Sequence, residues 1–224
     1  MKKYLVILFL VLAVLPAFCA TRFYLPSSGA AEIAPAYGAG WNDTAAADRI
    51  RCGKFKKNTL TGNKTAATPL GTNIYVLNRQ FISDPIAAQS FAGTTVYGQL
   101  KGAYVTRTTN PAVRIYLVNN IGSVIRTPDI YAIANNANTY PQTNALNRYT
   151  PASTAIGAVT AESGDRIVIE IGGYKTVNAT GSYFQIFGDD NASDLPIEEA
   201  TNEVSNPWIE FSRDIIFPSV TVID

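Results

Sequence analysis

Residues 162–174, ESGDRIVIEIGGY, decide the fold class of this 224-residue chain. Ile167, Ile169 and Ile171 fall on one side of an extended chain, because the side chains of a β-strand alternate between two faces. Asp165 and the glycine before it supply a turn ahead of the run, and a glycine pair follows it. The pattern predicts a half-buried strand of an antiparallel sheet, whose isoleucines hold two sheets together.

Similar apolar and β-branched runs recur along the chain, whereas helical signal is scarce. The predicted strands are residues 22–25, 74–82, 94–107, 112–119, 123–126, 166–171, 183–187 and 208–212. The predicted helical pieces are short, at 85–90 and 195–200. Two longer connections, 54–72 and 134–155, suit a sandwich. We therefore predict an all-β fold, an antiparallel two-sheet sandwich of the jelly-roll type, in one domain over residues 21–224.

The N-terminus has the layout of a secretory signal peptide. Lys2 and Lys3 precede an apolar stretch, 4–18, that is short for a membrane span. We predict that residues 1–20 are removed and that the protein is secreted to an extracellular place, a cell surface or a virion. A retained N-terminal anchor is the alternative, so contact with a membrane is expected only through this segment.

Charge and cysteine content narrow the function further. Without Lys2 and Lys3, 16 of the 18 basic residues remain against 17 acidic ones, so no global charge draws the protein to nucleic acid. Cys52 is then the sole cysteine of the mature chain, which leaves no intrachain disulfide. Stability has to come from the core, from a bound ion or from assembly with other chains.

The chain contains no histidine, which removes histidine-dependent triads and nearly every catalytic zinc site. A glycoside hydrolase or lyase needs only two carboxylates at a suitable separation. The candidates by residue type are Asp165, Glu170, Asp189, Asp190 and Glu210. No glycine-rich phosphate loop is present in the sequence. These observations favour a protein that is not an enzyme and keep a carboxylate-based hydrolase as an alternative.

An acidic loop, GDDNASD at 188–194, is the strongest ion-binding candidate. Asp189, Asp190, Asn191 and Asp194 offer the hard oxygen ligands that calcium prefers, and Glu198 is near enough in sequence to complete a shell. The alternative is an ordinary acidic turn that caps the next segment. Calcium is the only cofactor that the sequence suggests.

Aromatic residues in polar loops are candidates for sugar binding, because a pyranose ring packs its C–H face on a flat π surface. They are Trp41 and Tyr37 in a glycine-rich loop, and Tyr131, Tyr140 and Tyr149 in or beside the long polar connection. The alternative is that Trp41 plugs one end of the sandwich while the tyrosines cover its edges.

Trp208 is predicted to face outward or into a subunit contact. It shares a strand face with Glu210, whereas Ile209 and Phe211 occupy the other face and are expected in the core. A tryptophan is a common residue at the centre of an interface.

The densest run of positive charge is RIRCGKFKK at 49–57. It could hold a polyanion such as an acidic surface polysaccharide, through the electrostatics that also governs phosphate binding. A solvated hairpin is the alternative, and it is the favoured one.

Four segments carry a resemblance to known sequences. They are TRFYLPSSGAAEIAPAYGAGW at 21–41, VLNRQFISDPIAAQSFAGTTVYGQL at 76–100, SGDRIVIEIGGY at 163–174 and NPWIEFS at 206–212. Together they resemble uncharacterised jelly-roll-like structural proteins of tailed phages and environmental viral sequences. The resemblance implies a structural or surface-exposed virion component, with no catalytic residues to carry over. The chain departs from that set in its predicted signal peptide.

Three functions remain open. A non-enzymatic structural or adhesion protein, exported or part of a virion, is favoured, with itself or other surface or virion proteins as partners. A carbohydrate-binding module with glycan partners is the first alternative, and the carboxylate-based hydrolase or lyase is the second.

Overall fold

The computed structural model describes residues 20–106, 108–135, 157–195 and 205–218. Its strands are β1 Thr21–Tyr24, β2 Asp48–Arg51, β3 Gly62–Thr68, β4 Ile74–Ile82, β5 Gln89–Ser90, β6 Val96–Gln99, β7 Lys101–Tyr104, β8 Asn110–Val118, β9 Tyr131–Asn135, β10 Thr160–Ala161, β11 Arg166–Lys175, β12 Gly181–Phe187 and β13 Trp208–Phe211. Every regular element in these ranges is a strand, which confirms the all-β prediction. A helix long and apolar enough for a membrane is not found among them.

The strand predicted from ESGDRIVIEIGGY is β11, the centre of a five-stranded sheet ordered β2-β4-β11-β8-β9. It pairs antiparallel with β4 on one side and with β8 on the other. The edge strand β2 runs parallel to β4, whereas the other three strand pairs of this sheet are antiparallel, as predicted.

The opposite layer consists of two three-stranded sheets, β1-β13-β6 and β3-β12-β7. Only Leu100 separates β6 from β7, so one run of chain contributes to both, as the single predicted strand at 94–107 indicated. The pairs β3–β12 and β4–β11 are nested along the chain, as in a hairpin of paired strands that wraps into a jelly roll. The jelly-roll topology itself stays a prediction, because the chain between β9 and residue 157 lies outside the described residues.

The main core lies between the five-stranded sheet and the sheet β1-β13-β6. Ile167, Ile169 and Ile171 are fully buried there and belong to one cluster with Phe23 and Phe211. Burial of each such side chain stabilises the fold by about 1.5–3 kcal/mol. A second, smaller cluster fills the space between β4 and the sheet β3-β12-β7. The three isoleucines therefore hold the two layers together, as their alternation predicted.

The prediction that β11 is half-buried was wrong, because the outer face of this strand is buried too. Val168 and Glu170 are fully buried as well, because the segment from residue 29 to residue 43 crosses that face. Gly38 donates its backbone N–H to Glu170 at 2.8 Å, and the Ala36 carbonyl oxygen lies 3.0 Å from the Tyr116 hydroxyl oxygen. A loop that is distant in sequence thus converts the expected solvent face into a buried polar layer.

The buried Cys52 forms no disulfide within the described residues. Desolvation raises the pKa of its thiol to about 12, so the thiol stays protonated and unreactive.

Candidate functional site

The outer face of β11 presents Glu170, Gly172 and Tyr174 at alternating positions. Glu170 and Gly172 place Trp41 on that face, and Tyr174 lies beside it. Glu170 binds the indole N–H, Gly172 leaves room for the indole ring, and Tyr174 extends the aromatic surface. The strand that decides the fold therefore also builds the candidate site.

Glu170 is a buried carboxylate that receives four hydrogen bonds. Its Oε1 accepts from the Gly38 N–H at 2.8 Å, from the Gln80 amide at 2.9 Å and from the Tyr116 hydroxyl at 2.9 Å. Its Oε2 accepts from Trp41 Nε1–H at 2.6 Å. Burial and then the charge of Glu170 raise the pKa of Tyr116, so its hydroxyl remains a donor. The donors satisfy the carboxylate and fix the direction of the indole N–H.

Arg114 supplies positive charge beside this carboxylate. Its guanidinium binds Asp129 through two hydrogen bonds of 2.7 and 3.0 Å and donates to the Ala39 carbonyl at 2.6 Å. Burial alone would lower the pKa of Arg114, but the hydrogen bond and charge of Asp129, followed by the charge of Glu170, raise it. The guanidinium therefore stays charged and ties the loop at Ala39 to β8 and to the 126–130 segment.

Gly172 provides the space that Trp41 occupies. A Cβ at residue 172 would lie 2.6 Å and 2.9 Å from Cζ3 and Cη2 of the indole, and 2.1 Å from the carbonyl oxygen of Val76 on the paired strand. The six-membered ring of Trp41 thus lies directly over the strand backbone. Any larger residue at this position has to displace the ring or the strand.

Trp41, Tyr75 and Tyr174 form one contiguous group, which we name the aromatic cluster. The ring centroids of Trp41 and Tyr75 are 6.2 Å apart with planes at 87°, and those of Tyr75 and Tyr174 are 4.6 Å apart with planes at 40°. All three residues are half-buried, so part of the aromatic cluster is accessible to solvent. Such a surface can stack on an apolar ligand face.

Three asparagines surround the aromatic cluster. The side-chain oxygen of Asn42 accepts from the Tyr75 N–H at 2.8 Å, that of Asn73 from the Tyr174 hydroxyl at 2.8 Å, and that of Asn135 from the Tyr75 hydroxyl at 2.9 Å. Within the described residues, the amide nitrogens of these three side chains donate to no protein acceptor. Each asparagine is thus oriented through its oxygen and can offer its NH₂ group to a ligand.

Of the predicted sugar-binding aromatics that the structure describes, Trp41 alone belongs to this cluster. Tyr37 instead donates to the Ala47 carbonyl at 3.2 Å and lies under Arg49, whose guanidinium carbon is 4.2 Å from the ring centroid. Tyr131 is buried in the main core, so neither tyrosine provides the exposed surface that the sequence suggested. Tyr140 and Tyr149 lie outside the described residues.

The prediction that Trp208 faces outward was wrong. Ile209 and Phe211 do enter the core, so Trp208 points the other way, but its side chain is fully buried. Its Nε1–H donates to the Leu195 carbonyl at 2.8 Å, and the guanidinium of Arg22 lies 3.9 Å from the ring centroid. The acidic loop and Arg22 cover the surface that had been assigned to an interface.

The acidic loop is a network of internal hydrogen bonds, and its carboxylates are already occupied. Asp189 is almost fully buried and accepts from the N–H groups of Lys57 and Thr59 at 2.7 Å each. Asp194 binds Arg22 at 2.5 Å and Lys56 at 2.9 Å. Both carboxylates therefore lack oxygens that point toward a common ion.

The remaining predicted ligands do not complete a calcium site. Asp190 accepts from the Ala192 N–H at 2.9 Å and from the Thr61 hydroxyl at 3.2 Å, whereas Asn191 is exposed. Glu198 lies outside the described residues, within which no three acidic side chains gather as a metal site. The geometry therefore favours the alternative to calcium binding, an acidic turn. Its carboxylates bind the 57–61 segment and β1.

The Asp194 ion pairs predict a dependence of stability on acid pH. Burial would raise the pKa of Asp194, but hydrogen bonds from Lys56 and Arg22 outweigh it and lower that pKa. The stabilisation is therefore complete above the unfolded-state pKa of about 3.9 and is lost as the pH falls through the lower folded-state value. Asp194→Asn is expected to cost about 1 kcal/mol at neutral pH and much less near pH 2.5 in urea unfolding. An equal cost at both pH values would contradict this assignment.

The five acids considered for glycoside hydrolysis are held by other groups of the protein. Asp165 binds Arg126 through two hydrogen bonds of 3.0 Å, and Glu210 accepts from Arg22 at 2.9 Å. Glu170 and Asp189 are buried and accept from protein donors. Asp190 accepts from Thr61 and Ala192, so each of the five acids already accepts hydrogen bonds from protein donors.

Comparisons with protein-family models and with curated proteins give no match. Among solved structures, the chain is similar to a structure of infectious bursal disease virus, Gt strain, at 12% identity and a TM-score of 0.30, over 70% of this chain and 37% of that one. It is also similar to SACOL2612, a CocE/NonD family hydrolase from Staphylococcus aureus, at 12% identity and a TM-score of 0.29, over 90% and 37%. The chain spans little more than a third of either structure, and at these scores neither likeness carries an argument about function.

Proposed function

We propose that the protein is an exported, non-catalytic adhesion protein that binds glycans through the aromatic cluster. The observation that carries this proposal is the fixed Trp41–Tyr75–Tyr174 surface, whose tryptophan is held by a buried carboxylate. A rigid aromatic surface binds the C–H face of a sugar ring without a large ordering cost, because the side chains are already in place.

The asparagines give this surface its polar component. A pyranose presents hydroxyl groups around its rim, and the amide nitrogens of Asn42, Asn73 and Asn135 surround the aromatic cluster as donors. No cationic side chain contacts the three aromatic rings through a cation–π contact within the described residues. A neutral sugar therefore fits this surface better than a charged one.

The alternative is a purely structural subunit. Its main support was a subunit contact through Trp208, and this residue is buried within the chain. The all-β sandwich is compatible with either function, and placement on a virion or a cell surface stays a proposal that the sequence resemblance and the predicted signal peptide support. Adhesion through a bound glycan is compatible with both locations, because a protein on either surface can expose the aromatic cluster to solvent.

Titration with neutral oligosaccharides tests the proposed function. The probes are cellopentaose, mannopentaose, xylopentaose and chitopentaose, with binding followed by calorimetry. We expect at least one probe to bind, and we expect Tyr174→Ala to weaken that binding by about tenfold, through loss of one stacking ring. Tyr174→Phe keeps the ring and is expected to retain most of the affinity.

The matched control is Tyr97→Ala, which removes a partly exposed tyrosine from the opposite layer. Its affinity is expected to equal that of the wild type. Absence of binding to all four probes by a protein with an intact thermal transition, or equal losses in Tyr174→Ala and Tyr97→Ala, would contradict the proposed function.

A further inference from the structure

A groove lies beside the C-terminal end of β2, far from the aromatic cluster. Its volume is about 550 Å³, a size typical of small-ligand sites. The lining residues include Arg51, Lys54, Phe55, Lys57, Pro85 and Phe217. Arg51 pairs with Ile82 at the end of β4, whereas Tyr75 lies at the start of that strand, so the two sites are on the order of 20 Å apart.

The groove combines exposed apolar surface with positive charge. Phe55 is 74% exposed, so most of its ring is available for contact with a ligand. The ammonium group of Lys54 lies 5.3 Å from the Phe55 ring centroid and 5.0 Å from that of Phe217. The lysine thus sits between two aromatic rings at the rim of the groove.

The charges of the groove are only partly compensated. Arg51 pairs with Asp84 at 2.5 Å, and Lys56 pairs with Asp194 at 2.9 Å. Lys54 and Lys57 form no ion pair within the described residues, and Lys57 donates instead to the Arg51 carbonyl at 3.0 Å. Desolvation, followed by repulsion from Arg51, lowers the pKa of Lys57, although the charges of Asp84 and Asp189 act against this shift. Lys54 and Lys57 are therefore the two cations of the groove whose ammonium groups can still form a direct ion pair with a ligand.

An extended peptide could form few backbone hydrogen bonds here, because the N–H and C=O groups that line the groove are bonded within the protein. The Gly53 carbonyl accepts from the Tyr24 N–H at 3.0 Å, the Arg51 N–H donates to the Gly29 carbonyl at 2.9 Å, and the Lys57 N–H donates to Asp189. Strand addition to a sheet edge requires free backbone groups. A nucleic acid needs a longer positive tract than two uncompensated lysines.

We propose that this groove binds an acidic saccharide, with its carboxylate between Lys54 and Lys57 and the C–H face of its ring on Phe55. A flat apolar surface beside a pair of lysines is complementary to a sugar acid, which carries an apolar C–H face and a carboxylate on one ring. The site is independent of the aromatic cluster, whose surroundings suit a neutral sugar. The protein would then recognise two different components of a glycan surface.

Calorimetry with acidic oligosaccharides and their methyl esters tests this inference on the full chain. The probes are trigalacturonate, a hyaluronan tetrasaccharide and 3′-sialyllactose. We expect at least one acid to bind, its methyl ester to bind about tenfold more weakly, and affinity to fall as salt is raised. Lys54→Gln and Phe55→Ser, both at exposed positions, are each expected to weaken binding by about fivefold or more.

Arg213→Gln, which removes a cation elsewhere on the surface, is the matched control and is expected to bind like the wild type. Tyr174→Ala is expected to leave this site unchanged, so failure here and failure of the proposed function are distinguishable. Silence of all three acids, equal binding of acid and ester, or binding of oligothymidylate or hexaglutamate in their place would overturn the inference.

Discussion

Gly172→Ala is expected to lower the free energy of unfolding by about 3 kcal/mol, although it adds a single methyl group. The added Cβ would lie 2.1 Å from the Val76 carbonyl oxygen and 2.6 Å from the Trp41 ring, far inside contact distance. A backbone oxygen of a paired central strand cannot move aside without breaking the ladder. Urea unfolding followed by circular dichroism measures the loss.

Gly53→Ala is the matched control for this substitution. No atom lies within 4 Å of a Cβ at residue 53, and the backbone there does not require glycine. Its effect is expected to remain within about 0.5 kcal/mol. A Gly172→Ala protein as stable as Gly53→Ala would show that Trp41 does not lie over β11.

Glu170→Gln is expected to lower the free energy of unfolding by about 2–4 kcal/mol and to release the indole of Trp41. Glutamine can present its oxygen to the three donors that face Oε1, namely Gly38, Gln80 and Tyr116. Its NH₂ group then faces the Trp41 N–H, and two donors cannot bond to each other. The same change removes a negative charge beside Arg114.

The readout is the ¹⁵N–¹H signal of the indole, because the chain has only two tryptophans. We expect the Trp41 signal to shift strongly and to exchange faster with water in Glu170→Gln, while that of buried Trp208 stays unchanged. Glu162→Gln, at a largely exposed carboxylate, is the control and should alter neither signal. An unchanged Trp41 signal in Glu170→Gln would contradict the proposed hydrogen bond.

The alternation of isoleucines was sufficient to predict β11, because burial of one strand face is a local pattern. What covers the other face was not predictable, since Gly38 and Trp41 meet Glu170 across 132 and 129 residues of sequence. The same limit explains Trp208. Its orientation followed from alternation with Ile209, but the loop and the arginine that bury it come from distant segments.

Residue type alone also led to the wrong prediction for the acidic loop. Its composition suits calcium, but the donors that occupy Asp189 come from residues 57 and 59, which no local pattern links to it. A polar strand such as β3, GNKTAAT, likewise lacks the hydrophobic signal of a strand, so it was read as part of a connection.

The aromatic cluster carried a signal that sequence reasoning missed. Tyr174 follows Glu170 and Gly172 at alternating positions, so all three were predictable as neighbours on one face. Tyr75 lies opposite Tyr174 only because a bulge between Ile171 and Gly172 shifts the pairing of β4 and β11. Such a shift depends on the folded sheet and leaves no mark in the spacing of residues.

The most direct test of the central claim is an indole ¹⁵N–¹H titration of the wild-type protein with the four neutral pentaoses. The account predicts that at least one sugar shifts the Trp41 signal in a saturable way and leaves the Trp208 signal in place. If no sugar moves the Trp41 signal while the spectrum shows a folded protein, the aromatic cluster is not a glycan-binding surface.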